Sequence, residues 1–62
     1  MREVYIYKDK EYYFESCGEM KNPITRIWRG CVIYVQIETG LRFVREQKEF
    51  FDLFKKVRYE SE

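Results

Sequence analysis

The chain reads as a mostly β, single small domain over residues 1–62, an antiparallel sheet of about five short strands with one short helix near the C-terminus. Three observations predict it. Short runs of β-branched and aromatic residues alternate with Gly, Pro and Asp breakers, as strands and turns do. Glu38-Thr39-Gly40 separates two such runs in the manner of a hairpin loop. After Arg45 the apolar spacing changes to three and four, the helical period.

Glu3-Val4-Tyr5-Ile6-Tyr7 suits a pleated strand, and Lys8-Asp9-Lys10 is a polar turn. A three-residue turn places Val4, Ile6, Tyr12 and Phe14 on one inward face and Tyr5, Tyr7 and Tyr13 outward. A two-residue turn at Asp9-Lys10 flips the second strand relative to the first. Residues 15–23 contain Gly18 and Asn22-Pro23 and read as a loop. Residues 24–28 resume strand composition, and Arg29-Gly30 supplies a tight turn or a bulge.

Residues 30–44 are the centre of the chain. Cys31, Ile33, Val35 and Ile37 form the expected buried face of a central strand. A three-residue loop with glycine in the left-handed position sets Ile37 against Leu41 and Val35 against Phe43. Phe50, Leu53, Phe54 and Val57 then mark a helix over residues 46–55, with Glu46, Glu49 and Asp52 early and Lys55 and Lys56 late, the order the helix dipole favours. Residues 56–59 are the candidate closing strand, and Glu60-Ser61-Glu62 is expected to fray. Short strands with one late helix in so few residues are what a small closed barrel of SH3-like type requires, because closure removes edges that a small protein cannot otherwise cover. An open α+β sheet with the helix across one face is the alternative.

Sixty-two residues lie near the lower limit for folding without disulfides, metal or a partner, so stability of roughly 3–5 kcal/mol and a tendency to homodimerise are expected. Twelve basic and eleven acidic groups give a net charge of +1. The distribution is uneven: residues 1–20 hold three basic and five acidic groups, residues 21–45 five and one, residues 46–62 four and five, so only the middle is strongly positive. The first residues lack a signal-peptide pattern and no run approaches a membrane span, which points to a cytoplasmic protein without a membrane partner. Cys17 and Cys31 are isolated and expected as free thiols.

The chain has no histidine, and neither cysteine has a neighbouring base, so no catalytic, metal or cofactor site is expected. Three surfaces are candidates for binding. Tyr5, Tyr7, Tyr13 and Tyr34, with Trp28 as an anchor, form an outward aromatic platform for a protein or peptide; sheet propensity alone also places tyrosines there. Lys21, Arg26, Trp28, Arg29, Arg42 and Arg45 form a basic, aromatic-bearing face for nucleic acid, in which the Arg26 guanidinium lies on the Trp28 indole; surface pairing of these cations is the bland counterpart. Phe51 is surplus to one helix face and offers a self-association contact.

The order Lys8-Asp9-Lys10-Glu11-Tyr12, Lys21-Asn22-Pro23, Trp28, Val32-Ile33-Tyr34, Gly40 and Phe43-Val44-Arg45-Glu46 with Phe50, Phe54 and Val57 resembles short bacterial and phage proteins of small SH3-like barrel type. A typical member has glycine where this chain has Asp9. The resemblance implies the barrel fold and no activity; small size and the phenylalanine-rich helix motivate a third reading, a self-associating structural or accessory protein of a phage or mobile element.

Overall fold

A computed structural model describes residues 1–61; the fraying expected of Glu62 lies outside the described residues. Five strands and a helix follow in the order β1 (Arg2–Tyr7), β2 (Lys10–Lys21), β3 (Trp28–Gln36), β4 (Arg42–Glu46), α1 (Gln47–Leu53) and β5 (Lys55–Glu60). One antiparallel sheet has the order β4-β3-β2-β1-β5, a meander whose last strand returns to the first. This is the mostly β fold with a short late helix that the sequence predicts. The two outer strands, β4 and β5, are not ladder partners of each other, and α1 is the segment that joins them.

The first hairpin settles which face is buried. Its loop is the two residues Lys8 and Asp9, both with positive φ (51° and 62°), the pattern of a type I′ turn that matches the twist of two adjoining strands. The register is therefore Tyr5 opposite Tyr12 and Val4 opposite Tyr13, in place of the expected Val4 opposite Phe14. Tyr5 and Tyr7 share a face with Tyr12, and this face meets the helix. The expected inward set of Val4, Ile6, Tyr12 and Phe14 is thus split between two faces, although Val4 is itself buried on the opposite one.

The core is correspondingly aromatic. Tyr5, Val32, Tyr34, Phe50 and Phe54 form it, with Tyr7, Tyr12 and Phe14 packed at its margin. Phe50 and Phe54 stack at 4.3 Å between centroids, Tyr34 lies 5.2 Å from Phe50 and 5.1 Å from Phe54, and Tyr7 stacks on Phe54 at 4.7 Å. Phe50 on the seven-residue helix and Phe54 at its C-cap, one turn apart, pack their rings against the aromatic face of the sheet, which explains why so short a helix, lacking a side-chain N-cap, is held in place. On β3 the better-buried pair is Val32 and Tyr34; of the expected set only Cys31 is fully buried, and Ile33, Val35 and Ile37 are half-buried.

The second hairpin also differs by one residue. Gln36 N–H donates to the Leu41 carbonyl and Gly40 N–H to the Gln36 carbonyl, so the loop has four residues, 37–40, and Val35 faces Arg42 while Tyr34 faces Phe43. Gly40 does take the left-handed conformation, φ +74°. The shift puts the Phe43 ring on Tyr34, stacked at 5.7 Å, and leaves Arg42 on the polar face. The helix is shorter at both ends than the spacing predicts. Glu60 does not fray: it ends β5, and its Oε1 accepts a 2.9 Å hydrogen bond from the Tyr13 hydroxyl.

The largest departure is the length of β2. Residues 15–21, expected as loop, continue the strand through an irregularity between Phe14 and Ser16, and pair with β3 as far as Lys21 opposite Trp28. Residues 24–27, expected as strand, form the connection, and Arg29-Gly30 is neither turn nor bulge but continuous strand. Alternating side chains with few breakers carry a ladder past a glycine when the partner strand is in register, and Gly18 stands opposite Cys31. The β2–β3 ribbon consequently extends beyond its neighbours, and the molecule measures 38 × 21 × 19 Å.

Candidate functional site: the β2–β3 arm

β1 pairs with β2 only from Lys10 to Tyr13, and β4 pairs with β3 only from Cys31 to Val35. Beyond those limits the ribbon of residues 16–30 stands as a two-stranded arm. Its tip is a compact turn. Asn22 Oδ1 accepts hydrogen bonds from the Ile24 and Thr25 amides at 2.8 and 3.2 Å, the Arg26 amide donates to the Asn22 carbonyl at 2.7 Å, and the Asn22 amide donates to the Ile27 carbonyl at 3.0 Å. This is the Asx geometry that an Asn-Pro pair favours. Arg26 carries the compensating positive φ, 60°.

The arm exposes apolar side chains as well as cations. Ile24 at the tip is 90% exposed, Trp28 60%, and Ile27 and Met20 about half. Cross-strand pairing sorts the rest by face: Lys21 and Trp28 share one face, Met20 and Arg29 the other. The cation lying over the indole is therefore Lys21, its Nζ 5.9 Å from the ring centroid, and not Arg26, which sits in the turn. Between Met20 and Gly30 the chain holds Lys21, Arg26 and Arg29 and no acidic residue.

The six residues of the expected basic face are thus divided. Lys21, Arg26, Trp28 and Arg29 gather on the arm, whereas Arg42 and Arg45 do not join them. Arg42 lies on β4 in the body of the sheet, bonded to Glu15 at 3.0 Å. Arg45 pairs with Glu49 and donates to the Tyr34 hydroxyl at 3.2 Å. Arg29 reaches Glu46 at 3.5 Å, the long end of an ion pair. The Arg42 and Arg45 guanidinium groups are both held above their usual range, Arg42 first by its bond to Glu15 and Arg45 first by its bond to Tyr34.

The expected tyrosine platform is not formed. Tyr5 and Tyr34 are core residues, 6% and 3% exposed, and Tyr7 packs on Phe54. Burial, followed by the Glu3 charge, raises the Tyr5 phenol above its ordinary value. Tyr13 alone of the four lies on the opposite face, half-buried within an ion-pair network. There Arg58 holds Glu11 at 2.6 Å and Glu60 at 3.0 Å, and Arg2 lies 4.8 Å over the Tyr13 ring. The bond from Arg58 pulls the Glu11 carboxyl below its usual range, and bonds from Tyr13 and then Arg58 do the same for Glu60. That face is satisfied internally.

At the root of the arm a cleft of about 400 Å³ is bordered by Arg29, Gly30, Glu46, Gln47, Lys48 and Phe51. Phe51 is nearly half exposed there, as its surplus position on the helix predicts. Met20, Ile24 and Ile27 are not among the expected site residues, since sequence pattern alone places Met20 in a loop and Ile24 and Ile27 in a strand. The acid-free run from 20 to 29 was the signal that could have found them. Among the described residues no group of three or more His, Cys, Asp or Glu is arranged to hold a metal ion, and Cys17 and Cys31 are free. No helix is long and apolar enough to cross a membrane.

No family model, curated protein or solved structure matches this chain.

Proposed function

We propose that the protein is a non-catalytic binding module that holds nucleic acid through its β2–β3 arm. One observation carries this reading: Lys21, Arg26, Arg29 and an exposed Trp28 lie together in the acid-free run 20–29 at the outer end of the arm, where only Arg29 meets a carboxylate, Glu46 at 3.5 Å, while cations of the sheet body are bound to carboxylates. Lys10 pairs with Glu38, Arg42 with Glu15, Arg45 with Glu49, Lys56 with Glu3, and Arg58 with Glu11 and Glu60. A net charge near zero therefore masks a local cationic site. Cations close to phosphate release counterions, and an indole supplies a flat ring for contact with a base. A cytoplasmic setting and a phage or mobile-element accessory role belong to the same proposal.

A protein or peptide partner on the same arm is the second reading. It is favoured by the open backbone edges of β2 beyond Tyr13 and of β3 before Cys31, where an added strand finds unpaired amides and carbonyls. Pairing of two arms from two copies is opposed by their like charge. A titration of labelled single-stranded and duplex DNA and RNA at low and moderate salt, followed through Trp28 emission, separates the readings. Binding that weakens steeply with salt supports nucleic acid. Absence of binding at low salt removes it and leaves the strand-addition reading, tested by capture of extended peptides.

A further inference from the structure

We propose that the arm enters a groove of duplex DNA tip first, with Ile24 as an apolar wedge against the base steps and the cations of the ribbon on the two flanking backbones. This rests on the nucleic-acid reading above and names the form of nucleic acid.

The tip is built to present a side chain. Four backbone hydrogen-bonding groups of the turn are used inside it by Asn22, and Pro23 fixes the φ angle just before Ile24. Ile24 is left as the most exposed large apolar side chain of the described residues, carried on a hydrogen-bonded turn. An aliphatic group has no π-face and gains nothing from stacking on a splayed single strand, where binding proteins use rows of aromatic rings. The arm has one ring, Trp28. Proteins that unstack duplex steps use Ile, Leu, Met, Phe or Pro for the purpose, and Pro23-Ile24 is such a pair.

The cations are disposed for two walls. Lys21 lies on the Trp28 face of the ribbon, with Glu19 two residues farther from the tip, and Arg29 on the Met20 face, where Glu46 at the root reaches it at 3.5 Å, so each face carries one positive group nearest the tip, and Arg26 sits in the turn itself. A strand lying flat on one phosphate backbone needs its cations on one face only. A two-stranded ribbon is narrow enough for the major groove, about 12 Å wide, and enters the minor groove where a wedge widens it.

The test uses the full chain and a 25-base-pair duplex labelled at its two ends with a donor and an acceptor dye. Wild-type protein is expected to shorten the end-to-end distance and to bind the duplex more tightly than either single strand. Ile24→Ser, a change at an exposed turn position, is expected to retain binding within about threefold while losing the shortening. Lys21→Ala and Arg29→Ala are each expected to weaken binding at least severalfold, with circular dichroism confirming that all variants are folded. A bound duplex of unchanged length, or tighter binding to single strands, overturns the wedge while leaving the nucleic-acid reading in place. Binding to anionic vesicles or to an acidic peptide with no affinity for any nucleic acid overturns both.

Discussion

Lys21 stands directly across the β2–β3 ladder from Trp28, with its ammonium group 5.9 Å from the indole centroid. The pair occupies the last rung before the turn and is exposed, so its contribution to folding is small and its value lies in what it presents. Replacing Trp28 by Ala is expected to cost no more than about 2 kcal/mol, since Trp28 is 60% exposed and only the remainder of its surface is returned to water. Urea denaturation of Trp28→Ala, followed by far-ultraviolet circular dichroism, checks this. A loss of several kcal/mol would make Trp28 a folding residue.

Tyr5 and Phe50 meet at 5.0 Å in the centre of the domain. Truncating either to Ala removes a buried ring at a cost of about 3–5 kcal/mol, comparable with the whole stability of a chain this size. Both variants are expected to be largely unfolded at 25 °C by circular dichroism. Phe51→Ser, on the exposed side of the same helix, is expected to remain folded.

Arg58 binds Glu11 and Glu60 on the opposite face, and both carboxyls are depressed from an ordinary value of 4.5. A depressed carboxyl contributes stability that is present above its unfolded value and lost as pH falls through its folded value. Removing the guanidinium in Arg58→Gln therefore lowers the melting temperature at pH 7, and the gap to wild type closes as pH falls below about 4.5. Thermal melts between pH 7 and pH 2 measure it. A gap that persists undiminished at pH 2 would mean that Arg58 acts through packing.

Gly40 has a φ of +74° in the 37–40 loop, with open space where a Cβ would stand. Gly40→Ala is therefore expected to cost about 1 kcal/mol through backbone strain alone, with no steric clash. Chemical denaturation gives the value, and an unchanged midpoint would show that the loop shifts to another turn.

Much of the sheet is legible in the sequence because β-branched and aromatic runs have few alternatives in so short a chain. The helix shows through the spacing of Phe50 and Phe54. What was not legible is parity. Tyr5, Tyr7, Tyr12 and Phe14 are apolar enough for either face, and only the turn at Lys8-Asp9 decides which set the helix covers. Neither residue is glycine, so nothing in the composition marks it as a type I′ turn. The arm was hidden by Gly18, read as a breaker, and by the strand propensity of Ile24 and Ile27, which the Asn22 side chain overrides by capturing the Ile24 and Thr25 amides. Lys21, Arg26 and Arg29 are recognisable as a group from charge, and Trp28 from its place between two arginines; that Arg42 and Arg45 are separate follows from their partners Glu15 and Glu49, distant in the chain or on the helix.

The most direct measurement is the salt dependence of duplex binding for wild-type protein and for the triple variant Lys21→Ala, Arg26→Ala, Arg29→Ala. Each phosphate contact contributes a slope of about −0.9 in log affinity against log salt. The arm predicts a slope shallower by as much as about 2.7 in the variant, with affinity lost at low salt. An unchanged affinity and slope would place the contact elsewhere on the molecule and contradict the account.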